Sequence, residues 1–114
     1  NGTISTSDRR AKHDIVPVRD GLNSIIQLRP VTYRWNTQPE MLPRYGLIAQ
    51  EVLQVIPSLV EVPDNPELMM GLNYEQLIPV LVKAIQEQQA QIDEQTGLIS
   101  AQQLLLEEIL RDNR

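Results

Sequence analysis

Three observations predict an α+β fold, in which a small mixed globular head is followed by one long C-terminal helix. All eight prolines lie at or before Pro79, and the four aromatic residues (Tyr33, Trp35, Tyr45 and Tyr74) all precede residue 75. Up to residue 72, short strand-like and helix-like runs alternate irregularly, which suits α+β better than a doubly wound sheet. From residue 78 onward, an apolar residue recurs every seven positions as far as Leu106. Charge divides at the same place. Residues 1–60 carry a net +2 and residues 61–114 a net −7, and seven of the twelve glutamines crowd between Gln86 and Gln103.

Along the head, Asn1 to Thr6 is a polar lead-in without periodicity. Asp8 to Asp14 (DRRAKHD) is dense in charge and precedes a short β-like run, Ile15–Val18, interrupted by Pro17. Asp20-Gly21 is a turn signal. Leu22, Ile25, Ile26 and Leu28 then recur at helical spacing in a short helix that must stop before Pro30. Val31 to Trp35 alternates strong β-formers and predicts a strand with Val31, Tyr33 and Trp35 on one face. Residues 36–44 read as a loop. Tyr45–Ala49 is a second strand or a strand-to-helix turn, and Glu51–Ile56 a short helix ended by Pro57. Leu59–Val62 is a third strand, Pro63–Glu67 a turn-rich loop, and Leu68–Leu72 a fourth strand. With a head of residues 7–73 and so few aromatics, much surface stays wet, and oligomerisation is the common remedy.

Asn73 with Gln76 three residues on has the form of an N-cap and capping box, so the helix occupies 74–114. With Ile78 at position a, that position holds Ile78, Ile85, Ile92, Ile99 and Leu106. Position d holds Leu81, Gln88, Gln95, Gln102 and Ile109. Five heptads with an apolar a position predict a coiled-coil seam, and β-branched a residues without leucine at d favour a homotrimer over the simple dimer. Packing against its own head is the competing account. It suits residues 74–85, where Leu77, Val80 and Val82 broaden the apolar face, but not 86–109. Pro79 predicts a kink or restart. Thr96-Gly97 could end one helix, with Ser100 and Gln103 capping another. The a series passes through without a phase slip, however, so a continuous helix with a weak point at Gly97 is expected.

Several function classes are excluded. Zero cysteine removes disulfides, thiolate metal sites and cysteine nucleophiles, and the single histidine, His13, leaves no metal centre to expect. No cofactor is expected. No apolar run approaches the ~18 residues needed to span a bilayer, so no membrane partner is expected. Arg9, Arg10, Lys12 and His13 stand beside Asp8 and Asp14 in an acidic protein, which argues against nucleic acid as a partner. The helix acids Glu87, Asp93, Glu94, Glu107 and Glu108 read as a solvated face.

Reactive potential resides in Ser7-Asp8-Arg9-Arg10-Ala11-Lys12. A serine becomes a nucleophile when a base takes its proton, and lysine can serve when burial or neighbouring cations depress its pKa. Taken alone, the same residues also describe a solvated turn capped by Ser7 or Asp8.

The segments SDRRAK at 7–12, GLNSIIQLRPVTYRW at 21–35, YGLIAQEVLQVIP at 45–57 and LNYEQLIPVLVKAIQEQQAQI at 72–92 together resemble a known family, in family order. They are similar to the C-terminal intramolecular chaperone domain of phage endosialidase tailspikes and tail fibres, which is related to the auto-processing domain of the myelin regulatory factor. The resemblance implies a homotrimer that registers the upstream region of its own precursor chain and then releases itself by autoproteolysis. It matches Ser7 to the nucleophile, Lys12 to the base, and Thr6–Ser7 to the scissile bond, with Asp8 and Arg10 in supporting roles. On this reading residues 1–6 are the end of the upstream segment, and the chain is a single-turnover serine autopeptidase without a substrate in trans. Its setting would be phage virion assembly in a bacterial cytoplasm, or a bacterial fibre protein. A lysine in water keeps its proton, so folding and trimer packing must supply the desolvation. The alternatives are a permanent, non-catalytic trimerisation cap of the same fold and an unrelated coiled-coil adaptor that binds partner helices.

Overall fold

The computed structural model describes residues 4–19 and 21–113. Helix α1 (Leu22–Ile25) leads into the hairpin of β1 (Val31–Tyr33) and β2 (Arg44–Gly46), followed by α2 (Ala49–Leu53). A 3-10 turn at Pro57–Leu59 opens into β3 (Val60–Glu61), which pairs with β4 (Gly71–Leu72), and α3 (Tyr74–Asp112) completes the chain. Both two-stranded sheets are antiparallel, with Val31 opposite Gly46 and Val60 opposite Leu72. This is the α+β head and long helix that the pattern of runs predicts.

The differences lie in extent. Ile15–Val18 forms no strand, because Pro17 removes a ladder donor there. The first strand ends at Tyr33 rather than Trp35, although the two rings still meet edge to face with centroids 5.0 Å apart. The second short helix begins and ends earlier than expected, at Ala49 and Leu53. Of the expected helical face after Gly21, Leu22, Ile25 and Leu28 turn inward while Ile26 is exposed. The turn residue Asp20 lies outside the described residues.

Among the described residues, the buried apolar side chains are Val52 on α2, Leu59 in the 3-10 turn and Ala84 on α3. Gly46 lets β2 close over its neighbours, since a Cβ there would stand 2.8 Å from Tyr33 Cε1 and 2.9 Å from Tyr74 Oη. Tyr74 in turn accepts a 2.9 Å hydrogen bond from Leu47 N, and Asn73 N donates to Leu59 O at 2.8 Å. These bonds fix the start of α3 to the head. The Asn73 side chain accepts from Gln76 N, so the expected N-cap forms. The helix continues unbroken through both Pro79 and Gly97.

The accessible surface is 10372 Å², where a compact monomer of this mass exposes about 6,300 Å². The radius of gyration is 22.1 Å, against about 13 Å for a compact chain of this length. Much of the excess belongs to α3 beyond residue 88, where every described residue is exposed.

Candidate active site

The chain around Ser7 is organised by one carboxylate. Asp8 Oδ1 accepts from Arg10 N at 2.8 Å and caps a short 3-10 turn, Arg9–Ala11. The same carboxylate grips the Arg10 guanidinium through two bonds, from Nε to Oδ1 at 3.1 Å and from Nη2 to Oδ2 at 2.9 Å. That grip holds the Asp8 carboxyl below the usual carboxylate range and raises Arg10. Across this turn, five residues apart, Lys12 Nζ donates to Ser7 Oγ at 2.7 Å.

The two predicted reactive groups are therefore in direct contact, with Asp8 and Arg10 shaping the turn between them. The direction of the bond matters. An ammonium donates and has no acceptor, so a lysine acting as base must first lose its proton and then accept from the serine hydroxyl. Residues 4–19 are exposed throughout, Thr6, Ser7 and Lys12 included. They form an arm that carries Ile4, Ile15, Val16 and Val18 unburied. Beyond the turn, Asp14 takes a left-handed backbone (φ 54°), a conformation that aspartate tolerates better than most residues.

On α3, two faces have different fates. Leu77, Val80, Lys83, Ala84 and Glu87 turn toward the head and are buried or half-buried. The apolar residues of the predicted seam remain exposed, from Leu81 at 39% to Ile85 at 65%. The head thus docks on one face of the helix and leaves the isoleucine row uncovered. Val82, which the sequence places on the broadened apolar face, is exposed as well.

Glu87 departs from expectation, because it is not part of a solvated face. Its Oε1 accepts from Gly21 N at 2.8 Å and from Leu22 N at 3.0 Å, so a carboxylate of α3 caps the start of α1. The Leu22 and Gly21 N–H groups hold its carboxyl below the ordinary range, and Lys83 adds a smaller pull. Sequence reasoning missed this contact because Glu87 lies 66 residues from Gly21 and carries no local signal. A second ion pair, Arg29 with Glu51 (Nε–Oε1 3.1 Å, Nη2–Oε2 2.6 Å), ties the end of the α1 segment to α2. Among the described residues no acidic or histidine cluster could hold a metal ion, and no helix is long and apolar enough to cross a membrane.

Comparison with known proteins places this architecture. Residues 7–61, from Ser7 to the end of β3, match the model of a peptidase family described as the chaperone of endosialidase. The chain is also 32% identical over 87 residues to the long tail fiber protein Gp37 of Escherichia phage AR1, an alignment that takes in 71% of this chain. It spans only 8% of that fibre protein's length. A head that matches the family model from Ser7 to Glu61, in a chain that also aligns with a phage tail fibre protein over 71% of its length, places these residues in the chaperone-of-endosialidase family.

Proposed function

We propose that this chain is a self-cleaving intramolecular chaperone that trimerises, sets an upstream fibrous protein in register, and then releases itself at the Thr6–Ser7 bond. The observation that carries the reading is the 2.7 Å contact between Lys12 Nζ and Ser7 Oγ at the start of the segment matched by a peptidase family. The division of labour is a head of residues 7–73 for the chemistry and a helix of residues 74–114 for assembly.

The chemistry balances within the chain. Neutral Lys12 takes the Ser7 hydroxyl proton as Oγ attacks the Thr6 carbonyl carbon. The tetrahedral adduct collapses by breaking the Thr6–Ser7 C–N bond, and Lys12 returns the proton to the departing Ser7 nitrogen. An ester then joins the Thr6 carbonyl to Ser7 Oγ. Water hydrolyses it, leaving a carboxylate on Thr6 and a free amine on Ser7. Nucleophile and base share one short turn, so their proximity is built in before any partner arrives.

A lysine acts as a base once desolvation removes its proton. Assembly supplies that desolvation on this account. A parallel trimer closes through Ile78, Leu81, Ile85, Ile92, Ile99, Leu106 and Ile109, with Gln88, Gln95 and Gln102 between them, and presents each arm with a neighbouring protomer. The exposed isoleucine row and the surface far above that of a compact monomer support this step. Cleavage then reports correct registration. The upstream partner would be a phage fibre during virion assembly, a setting suggested by the relative's name.

The test is mass spectrometry of Ser7→Ala and Lys12→Ala beside the parent chain. The parent is expected to yield a fragment beginning at Ser7. Both variants should remain trimeric and uncut, slowed by at least ~10³-fold, the scale on which loss of a nucleophile or its base acts. Efficient cleavage by either variant contradicts the dyad. An uncut parent trimer favours the permanent cap.

A further inference from the structure

We infer that Glu87 is a positioning residue, a clasp that fixes where the Ser7–Lys12 arm leaves the helix and so couples its chemistry to assembly. The inference rests on the autoproteolytic reading above for its consequence, though the clasp itself is a contact of this chain.

Two independent observations meet at Gly21. Its N–H and that of Leu22 are both held by Glu87 Oε1, at 2.8 and 3.0 Å. Its Cα also lies directly on the backbone of α3, where a Cβ would stand 2.6 Å from Ala84 N and 2.8 Å from Val80 O. A glycine is required at that approach, and the carboxylate satisfies the amides that the approach leaves over. Everything described upstream of Gly21, residues 4–19, is exposed. Gly21 is therefore the first buried residue among those described, and the exposed arm lies ahead of it.

The position of this residue decides what the arm can reach. Gly21 sits beside Val80 and Ala84, level with Leu81 and Ile85 of the exposed seam. From there to Lys12 is nine residues, a reach of up to ~30 Å when extended. Packed helices lie about 8–10 Å apart. The arm can thus lie against a neighbouring protomer's helix or head, where Lys12 would lose water, but only if its origin stays at this level of the bundle. An unclasped origin leaves the dyad intact and places it at random relative to the neighbour.

The experiment compares Glu87→Ala, Glu87→Gln and Gly21→Ala with the parent chain. Three readouts are taken: oligomeric mass, rate of appearance of the Ser7 fragment, and hydrogen exchange at the amides of residues 21–26. We expect all three variants to stay trimeric. Glu87→Ala should slow cleavage at least tenfold and speed exchange at Gly21 and Leu22, and Glu87→Gln, which keeps an acceptor oxygen, should recover much of both. Gly21→Ala should resemble Glu87→Ala, and the double variant should be no slower than either alone, since both break one contact. Glu94→Ala, an exposed acid further along α3, should change nothing. A trimeric Glu87→Ala chain that cleaves at the parent rate overturns the inference, as does an unchanged exchange pattern or the absence of rescue by glutamine. Should the parent itself stay uncut, the dyad reading fails, and the clasp stands or falls on the exchange data.

Discussion

The two halves of α3 are built from similar residues and meet opposite conditions. Between Leu77 and Glu87 the helix turns one face to its own head, where Ala84 is buried and Glu87 caps α1. From residue 88 to residue 113 every residue is exposed, Ile92, Ile99, Leu106 and Ile109 included. The docked half uses Leu77, Val80, Ala84 and Glu87, and the seam runs along a different stripe of the same helix. One helix can therefore hold a head on one stripe and leave its isoleucine row free for a neighbour, with Leu81 at the border, in a groove it shares with Ile25, Leu28 and Tyr45 of the head. In the proposed function, these two stripes are what would join assembly to chemistry.

The largest effect should come from breaking the uncovered half. Ile92→Asp places a charge in the centre of the proposed seam, where an unpaired buried charge costs several kcal/mol. Sedimentation should then show a monomer at micromolar concentration with an uncut arm, beside a parent expected to be trimeric. The docked half is broken from the head side by Leu59→Ala, which deletes a buried leucine and should cost about 2–5 kcal/mol. Denaturant unfolding checks it, and helix content beyond residue 88 should be retained while the oligomer persists.

Acid is expected to act on the docked half selectively. The folded-state pKa of Glu87 lies below its unfolded value because the Leu22 and Gly21 amides favour the carboxylate. Its contribution is thus fully present above the unfolded value of about 4.3 and is lost as pH falls through the lower folded value. Exchange at Gly21 and Leu22 should rise over that window before the seam opens, and Glu87→Gln should remove the dependence. The smallest change sharpens the bare half. Gly97 has open space around it, so Gly97→Ala should stabilise α3 by about 0.5–1 kcal/mol, seen as a higher melting temperature with cleavage unaltered.

Much of this was legible in the sequence because it is written locally. Asn73 and Gln76 announce the helix start, the isoleucine spacing announces a stripe, and Ser7 to Lys12 span a single turn. What escaped detection joins distant residues. The Glu87 contact with Gly21 and the Tyr74 contact with Leu47 depend on how α3 crosses the head, and no local pattern encodes that crossing. Strands are shorter than their β propensity predicts for a related reason. Ile15–Val18 and Trp35 have β propensity, but a strand exists only where a partner offers its edge, and within one chain these residues have none. The arm shows the same rule at the Ser7–Lys12 turn: the sequence supplies the serine and the lysine, but within one chain both stay exposed, and in the proposed function a neighbouring protomer would enclose them.

The most direct test of this coupling is native mass spectrometry of the full chain followed by denaturation of the same sample. A trimer whose subunits begin at Ser7, beside an uncut Ile92→Asp monomer, is the predicted result. Subunits that remain intact within a stable trimer, or a monomer that cleaves itself as fast as the trimer, would contradict it.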